Sequence, residues 1–375
     1  MSYLGGGLLG YVLNGLGPVL PHLQEALSLS RGQVAAYPTL YAAGMMVMGF
    51  AGHGVVGRWG RSASFRLAAL ALGAAAGLLA FTPSALLAGG GAVVMGASAA
   101  LMMVVVQATL ADEHGPHMIG AISEANAVSS FAAIVGPLVI GAALATGIGW
   151  RLGYAALPIL ISGYLAWAAI GGSEAPPVPA EQPLGVSPSG QRWSWLGILA
   201  VVAVEFAFVF WATDYMRSVV GLDDAPSAWL TSFFFVGMVT VRALGARFRV
   251  GRPERALLWA LAVCLVGFGL FWAGGASSHS ALIAGAGLLV AGSGVALLYP
   301  LSFTRFLQGS TRGSDHASGR AALASAAAIG LSPLLLGQVA DATGLFGAML
   351  VIPVLIVLAA LTVVAASDGG QTHPV

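Results

Sequence analysis

Apolar runs of roughly twenty residues recur from one end of this chain to the other, and its arginines gather in the short connections between them. GRWGRSASFR at 57–66, RFRVGRPER at 247–255 and RFLQGSTRGSDHASGR at 305–320 are the clearest of these connections. A helix needs about 20 mostly apolar residues to cross a hydrocarbon core about 30 Å thick. The alternation therefore describes a chain that crosses a bilayer many times. Charged residues are 8% of 375 and hydrophobic residues 58%, with a mean hydropathy of +0.89. A soluble domain carries roughly 25% charged residues. The bilayer must be the solvent for most of this surface, and an all-α membrane protein is expected.

Twelve spans fit that ruler: 3–22, 33–56, 66–82, 84–110, 117–146, 150–171, 194–216, 227–246, 255–275, 280–304, 319–342 and 345–366. The first begins almost at the N-terminus, without the positive segment of a secretory signal. With the N-terminus inside, Arg58, Arg61, Arg66, Arg192, Arg247, Arg249, Arg252, Arg255, Arg305, Arg312 and Arg320 face the cytosol. Only Arg31, Arg151 and Arg217 then face outward, and Arg242 falls within a helix. The positive-inside rule selects cytosolic N- and C-termini. Residues 172–193, GGSEAPPVPAEQPLGVSPSGQR, have little to bury and too many prolines for a helix. They read as a cytosolic linker between an N-terminal six-helix bundle, 1–171, and a C-terminal one, 194–375. Absent lysine with abundant alanine and glycine suggests a GC-rich bacterial genome, hence a bacterial inner (cytoplasmic) membrane.

The formal net charge of +1 is spread over separate connections, so no basic patch for nucleic acid forms. A lone cysteine, Cys264 in LAVCLVGF, excludes an intrachain disulfide framework and reads as a small buried hydrophobe. DEHGPH at 112–117 brings Asp112, His114 and His117 together but reads as a solvated turn, and no metal is expected. No Gly-rich phosphate loop of the nucleotide-hydrolase type occurs, so neither ATP nor another cofactor is expected.

The two halves repeat. AAIVGPLVIGAALATGIGW from Ala132 aligns with AAIGLSPLLLGQVADATGLF from Ala327. Pro137 and Pro333 correspond, 196 residues apart, as do Gly141 and Gly337. LSLSRGQVA from Leu27 aligns with VGLDDAPSA from Val220, where Leu29 and Leu222 lie 193 apart. Such near-constant separation points to duplication of a six-helix unit.

GHGVVGRWGR at 52–61, between the second and third spans, resembles the loop signature of the major facilitator superfamily. Arg58, Gly60 and Arg61 match it, while Gly57 stands where the family has its Asp and His53 where its first Gly belongs. GARFRVGRPER after the eighth span is a looser copy. IVGPLVIG in the fifth span resembles the Gly-Pro signature of the superfamily's antiporters through Gly136, Pro137 and Gly141, with Ile140 in place of a Gly. The resemblance implies twelve transmembrane helices in two pseudo-symmetric bundles. It also implies a secondary transporter working by alternating access, with substrate near the midplane between the halves. Arg58, Gly60, Arg61, Gly136, Pro137, Gly141 and Pro333 become gating candidates. The carboxylate missing at Gly57 implies a weaker cytosolic lock, or another contact in its place.

An ionisable group inside a membrane helix costs roughly 2.5–3.5 kcal/mol on insertion scales and is a functional candidate by default. Glu205, in WLGILAVVAVEFAFVFW, lies about 16 Å into the seventh span at 1.5 Å per residue. It reads as a proton carrier or, alternatively, a structural carboxyl that stays protonated or pairs with arginine. Arg242, in FFFVGMVTVRALG, reads as a cavity or ion-pair partner of Glu205, or as an arginine snorkelling to the cytosolic loop. Tyr11, Asn14, Gln107, Asn126, Trp211 and Tyr299 are candidate cavity contacts, each of which packing or helix–helix hydrogen bonding would also explain. Glu124, Asp214 and Asp341 read as helix-end carboxylates.

The expected function is movement of a small organic solute by alternating access, coupled to protons through Glu205, with export favoured over uptake by the Gly-Pro signature. The alternatives are an uptake permease or uniporter for a small organic anion, a non-transporting receptor or scaffold, and a membrane-embedded enzyme. The last would need a convergent His, Asp or Ser constellation that is absent from the sequence outside the DEHGPH turn. The expected partners are the substrate, protons and the lipid bilayer, with the protein acting as a monomer.

Overall fold

The computed structural model describes residues 1–114, 118–169, 188–245, 253–276, 280–308 and 314–368. Every regular element among them is helical. The order is α1 (Ser2–Ala26), α2 (Arg31–Val34), α3 (Ala36–Trp59), α4 (Arg61–Phe81), α5 (Ala85–His114), α6 (Met118–Ala145), α7 (Trp150–Ala168) and α8 (Pro188–Ser218). There follow α9 (Asp224–Gly245), α10 (Pro253–Ala276), α11 (Ala281–Val295), α12 (Leu298–Gln308), α13 (Ser314–Thr343), α14 (Leu345–Ala348) and α15 (Val351–Asp368). Joining α2 to α3, α11 to α12 and α14 to α15 leaves twelve rods. Nine stretches of the described residues are long and apolar enough to cross a membrane.

Two boundaries differ from the sequence expectation. The seventh rod starts at Pro188, inside the stretch read as linker, because proline is well accommodated in a helix's first turn. The rest of that linker, through 187, lies outside the described residues. The tenth rod, expected to be unbroken over 280–304, is interrupted after Val295 and resumes at Leu298.

The chain forms two compact units. One comprises Met1–Pro179 and Asp223–Ser232, the other Ala180–Leu222 and Phe233–Val375. The first unit takes in the start of α9, which the sequence assigned to the second half. Specific contacts account for this. The indole of Trp229 lies where a side chain at Gly141 would project, the Ser232 hydroxyl donates to the Ile134 carbonyl at 3.5 Å, and Asp224 lies 3.9 Å from the His22 ring.

The units repeat one another at the level of single atoms. In the first, α3 crosses α5 through two glycines. A Cβ on Gly44 would strike the carbonyl of Val93, and one on Gly96 would strike that of Tyr41. In the second, α9 crosses α11 in the same way, through Gly237 on the carbonyl of Leu289 and Gly292 on that of Phe234. Gly44 and Gly237 are 193 apart, and Gly96 and Gly292 are 196 apart, the separations already seen at Leu29/Leu222 and Pro137/Pro333. Small residues let membrane helices approach until their backbones touch, gaining dispersion contacts that lipid tails cannot supply. The other pairings follow suit: α1 on α6 and α4 on α5 and α7 in the first unit, α8 on α13 and α10 on α11 and α15 in the second. Gly149 (φ 89°) before α7 and Gly344 (φ 77°) before α14 turn the chain at equivalent points, in a region where a side chain is strained.

Candidate functional site

The repeat is broken between α11 and α12, and polar residues gather there. Pro300 lies in the first turn of α12 and has no N–H. The carbonyl four residues earlier, that of Ala296, is therefore without its helical donor. Arg242, in the last turn of α9, supplies one: its Nε donates to the Ala296 oxygen at 3.1 Å. A buried carbonyl left unpaired is costly, so the proline and the arginine explain each other. In the first unit Val104 takes the place of Pro300, and α5 runs unbroken over thirty residues.

Glu205 is the fifteenth of the twenty-eight residues in the span Gln191–Ser218. At 1.5 Å per residue that leaves about 20 Å of helix on either side. Its carboxyl interacts electrostatically with Arg242, and in turn with Tyr299 one residue before Pro300. The Tyr299 hydroxyl is hydrogen-bonded to Ser325 on α13, and Ser325 donates to the Ala321 carbonyl at 3.0 Å. Four elements thus converge: α8 with Glu205, α9 with Arg242, α12 with Tyr299 and α13 with Ser325. Taken back by the repeat separations, the first three positions become Val12, Gly49 and Met103. None of those three positions in the first unit carries an ionisable side chain.

α8 is held so that Glu205 meets this cluster. The Ser332 hydroxyl donates to the Ala203 carbonyl at 2.7 Å, and Trp211 Nε1 donates to the Pro333 carbonyl at 3.2 Å. Both bonds fasten α8 to α13 on either side of Glu205. At about 100° per residue, Glu205 lies about 160° around the helix from Ala203, away from that fastening. At the far end of α12, Arg305 pairs with Glu254 of α10 at 3.4 Å, and Arg320 lies over the Phe306 ring at 5.8 Å while its carbonyl accepts from Trp195.

The other expected site residues are placed as follows. Trp211 is 1% exposed, and its indole N–H donates to the Pro333 carbonyl. Tyr11 is likewise buried. Its hydroxyl donates to the Gly153 carbonyl while the Tyr154 hydroxyl donates back to Val12 at 3.1 Å, a reciprocal tie between α1 and α7. Asn14 is half-buried and bonds within its own helix, to the Gly10 carbonyl at 2.8 Å. The side chains of Gln107 and Asn126 lie outside the described residues, as do positions 115–117; of the DEHGPH run read as a turn, Asp112, Glu113 and His114 instead form the end of α5. Among the gating candidates, Arg58 is exposed, Gly60 (φ 75°) joins α3 to α4 and Arg61 opens α4. Gly136 lets α6 approach within 3.5 Å of the Tyr11 carbonyl, measured from the Cβ it lacks, and Gly141 faces Trp229. Pro137 and Pro333 lie within the continuous helices α6 and α13. The open space around Gly57 holds no neighbour within 4 Å of a Cβ there.

Sequence reasoning missed Ala296 and Ser325. Pro300 was the signal for the first, because a proline inside a span names the carbonyl it orphans. Ser325, a lone hydroxyl in ALASAAA, had its signal in the repeat, where Ser129 matches it at 196 residues.

The chain belongs to the major facilitator superfamily, whose sequence profile matches residues 2–333. It is accordingly a membrane transporter of twelve helices in two bundles, not an enzyme. Solved structures of similar fold include a bacterial homologue of the human lysosomal transporter Spinster (TM-score 0.75, 15% identity, 98% of this chain and 96% of that one). The nucleoside transporter NupG aligns with TM-score 0.73 at 10% identity, over 99% and 98%. The xylose transporter XylE from E. coli aligns with TM-score 0.72 at 13% identity, over 96% of each chain. No curated protein sequence matches significantly.

Proposed function

We propose that this chain is a proton-coupled secondary transporter that exports a small organic solute across a bacterial cytoplasmic membrane, with both termini in the cytosol. Glu205 is the proton carrier and Arg242 its counter-charge. The observation that carries the reading is a carboxyl at the centre of a membrane span, acted on by an arginine that is itself fixed to a broken helix. A charge at that depth is retained where it lines an ion or substrate path. Protons are favoured over sodium for a structural reason. The carbonyl at the C-terminal end of an interrupted helix is where a transporter can bind a coupling cation, and here the Arg242 guanidinium already occupies it. Export is preferred because Gly136, Pro137 and Gly141 resemble the antiporter signature. The organic-anion uptake reading has less support, since Arg242 is engaged with both Glu205 and Ala296.

The test uses proteoliposomes loaded with a pH-sensitive dye under an imposed pH gradient, against a panel that includes nucleosides, pentoses, organic cations and organic anions. A solute that moves protons in the wild type should do so no longer with Glu205→Gln, while solute exchange without a gradient survives. Gradient-driven accumulation by the Gln variant at the wild-type level removes Glu205 as the carrier.

A further inference from the structure

We infer that the face of α12 carrying Tyr299 and Phe303 is a stacking platform for the transported solute, which therefore bears a planar aromatic ring. The inference rests on the reading of this chain as a carrier of a small organic solute and goes beyond it, because it names the chemical class.

Four observations on the second unit support it. First, the two rings are parallel: their planes differ by 7° and their centroids lie 5.7 Å apart. Offset stacking of this kind leaves an outer ring face for a further ring to extend. Second, this face of α12 is open while the rest of the rod is engaged. Leu298, Ser302 and Phe306 are buried along one side, and Arg305 pairs with Glu254 of α10. At about 100° per residue, Tyr299, Phe303, Pro300 and Thr304 share an arc of about 140°. Both rings there are half-buried, and Pro300 and Thr304 are exposed. Third, the helices α12 packs on open beside buried neighbours. On α8, every residue from Ala200 to Met216 is buried except Glu205, which is half-buried. On α13, Ser325 is half-buried between buried Ala324 and Ala326, and it is hydrogen-bonded to Tyr299. A few accessible groups set among buried apolar ones are what the wall of a small-molecule site presents. Fourth, the hydrogen-bonding groups beside the rings are committed. Tyr299 is bonded to Ser325, Ser325 donates to the Ala321 carbonyl at 3.0 Å, and Thr304 donates to the Pro300 carbonyl at 2.9 Å. A site for a polyhydroxylated solute needs polar groups left to pair with its hydroxyls. This face offers π surface instead, with the Tyr299 ring held in place before the solute arrives, which lowers the cost of binding.

The first unit provides the contrast. Met103 and Gln107 stand 196 residues before Tyr299 and Phe303, so neither position there carries a ring.

The test is saturation-transfer NMR on full-length protein in lipid nanodiscs, with empty nanodiscs as the blank. The probes are matched pairs: phenethylamine and cyclohexylethylamine, 3-phenylpropionate and 3-cyclohexylpropionate, uridine and 5,6-dihydrouridine. The cyclohexyl members are at least as apolar as their partners, so burial alone does not favour the ring. At least one ring-bearing member should bind more tightly than its saturated partner by about 2- to 12-fold, the ratio that corresponds to roughly 0.5–1.5 kcal/mol for a stacked pair. Phe303→Leu and Tyr299→Leu should bring the two members of that pair to equal affinity. Phe303→Tyr and Tyr299→Phe keep both rings and should keep the preference. Equal binding within every pair, or no binding by any ring-bearing member, overturns the inference, and that comparison needs only the wild type should a Leu variant fail to fold. A preference that survives in both Leu variants also overturns it. Lost proton uptake in Glu205→Gln without any ring preference leaves the carrier reading standing alone. Unchanged proton uptake in Glu205→Gln with a ring preference that the Leu variants lose removes the carrier reading and leaves the platform.

Discussion

The glycine crossings give a stability prediction that needs no knowledge of the substrate. A Cβ at Gly96 would lie 2.7 Å from the carbonyl carbon of Tyr41 and 3.0 Å from its Cα, with the carbonyl oxygen closer still. The Cβ at Gly292 would meet Phe234 at the same two distances. Ordinary contact begins at about 3.5 Å between carbons. Gly96→Ala and Gly292→Ala must therefore push each helix pair apart by most of an ångström, and the obstacle is backbone, which cannot rotate away. Overpacking of this kind costs about 1–3 kcal/mol. Gly90→Ala and Gly269→Ala are the controls, because a Cβ at either position meets nothing within 4 Å. They should be neutral, or gain up to about 1 kcal/mol from reduced backbone freedom. Thermal unfolding in detergent, followed by tryptophan fluorescence at one scan rate, should place both crossing variants several degrees below wild type and by similar amounts. Both controls should stay at or slightly above wild type. Crossing variants as stable as the controls would refute the close approach. A large difference between Gly96→Ala and Gly292→Ala would refute the equivalence of the two crossings.

Two further outcomes are expected. Trp211→Phe keeps an aromatic ring in a buried site but deletes the donor to the Pro333 carbonyl, so it should cost about 1 kcal/mol in the same unfolding assay; a loss of transport at unchanged stability would instead make Trp211 a substrate contact. Cysteines at Ser187 and Ser277 should react with a membrane-impermeant reagent from opposite sides of a sealed membrane, and reaction from the same side would overturn the proposed topology.

Much of the architecture was legible because the bilayer imposes it. Span length is fixed by hydrocarbon thickness, and the position of arginine by the cost of moving charge across it. The duplication was legible through Pro137/Pro333 and Leu29/Leu222 because turns and prolines tolerate little sliding in register. Glu205 stood out for its depth alone. The bond from Trp211 to the Pro333 carbonyl was not legible, since it joins residues 122 apart in the chain. Tyr11 is a similar case, its hydroxyl bonded to Gly153, 142 residues away. The break in the tenth rod was hidden for a different reason. Proline is common in membrane helices, and its consequence depends on which distant residue meets the orphaned carbonyl, a matter of tertiary packing. Arg242 was legible as a charge but not as a hydrogen-bond donor to Ala296.

Val104 and Pro300 make the protein its own control experiment. Two helices at equivalent places in the repeat, crossing their neighbours through matching glycines, differ at this position by the presence of one amide hydrogen. Where the hydrogen remains, the helix closes its own ladder and needs nothing from outside. Where it is gone, one rung is completed by a neighbour, Arg242, and the helix depends on that residue for its ladder. A repeated scaffold can thus come to depend on a neighbouring helix in one copy by subtraction, while the other copy closes the same ladder by itself.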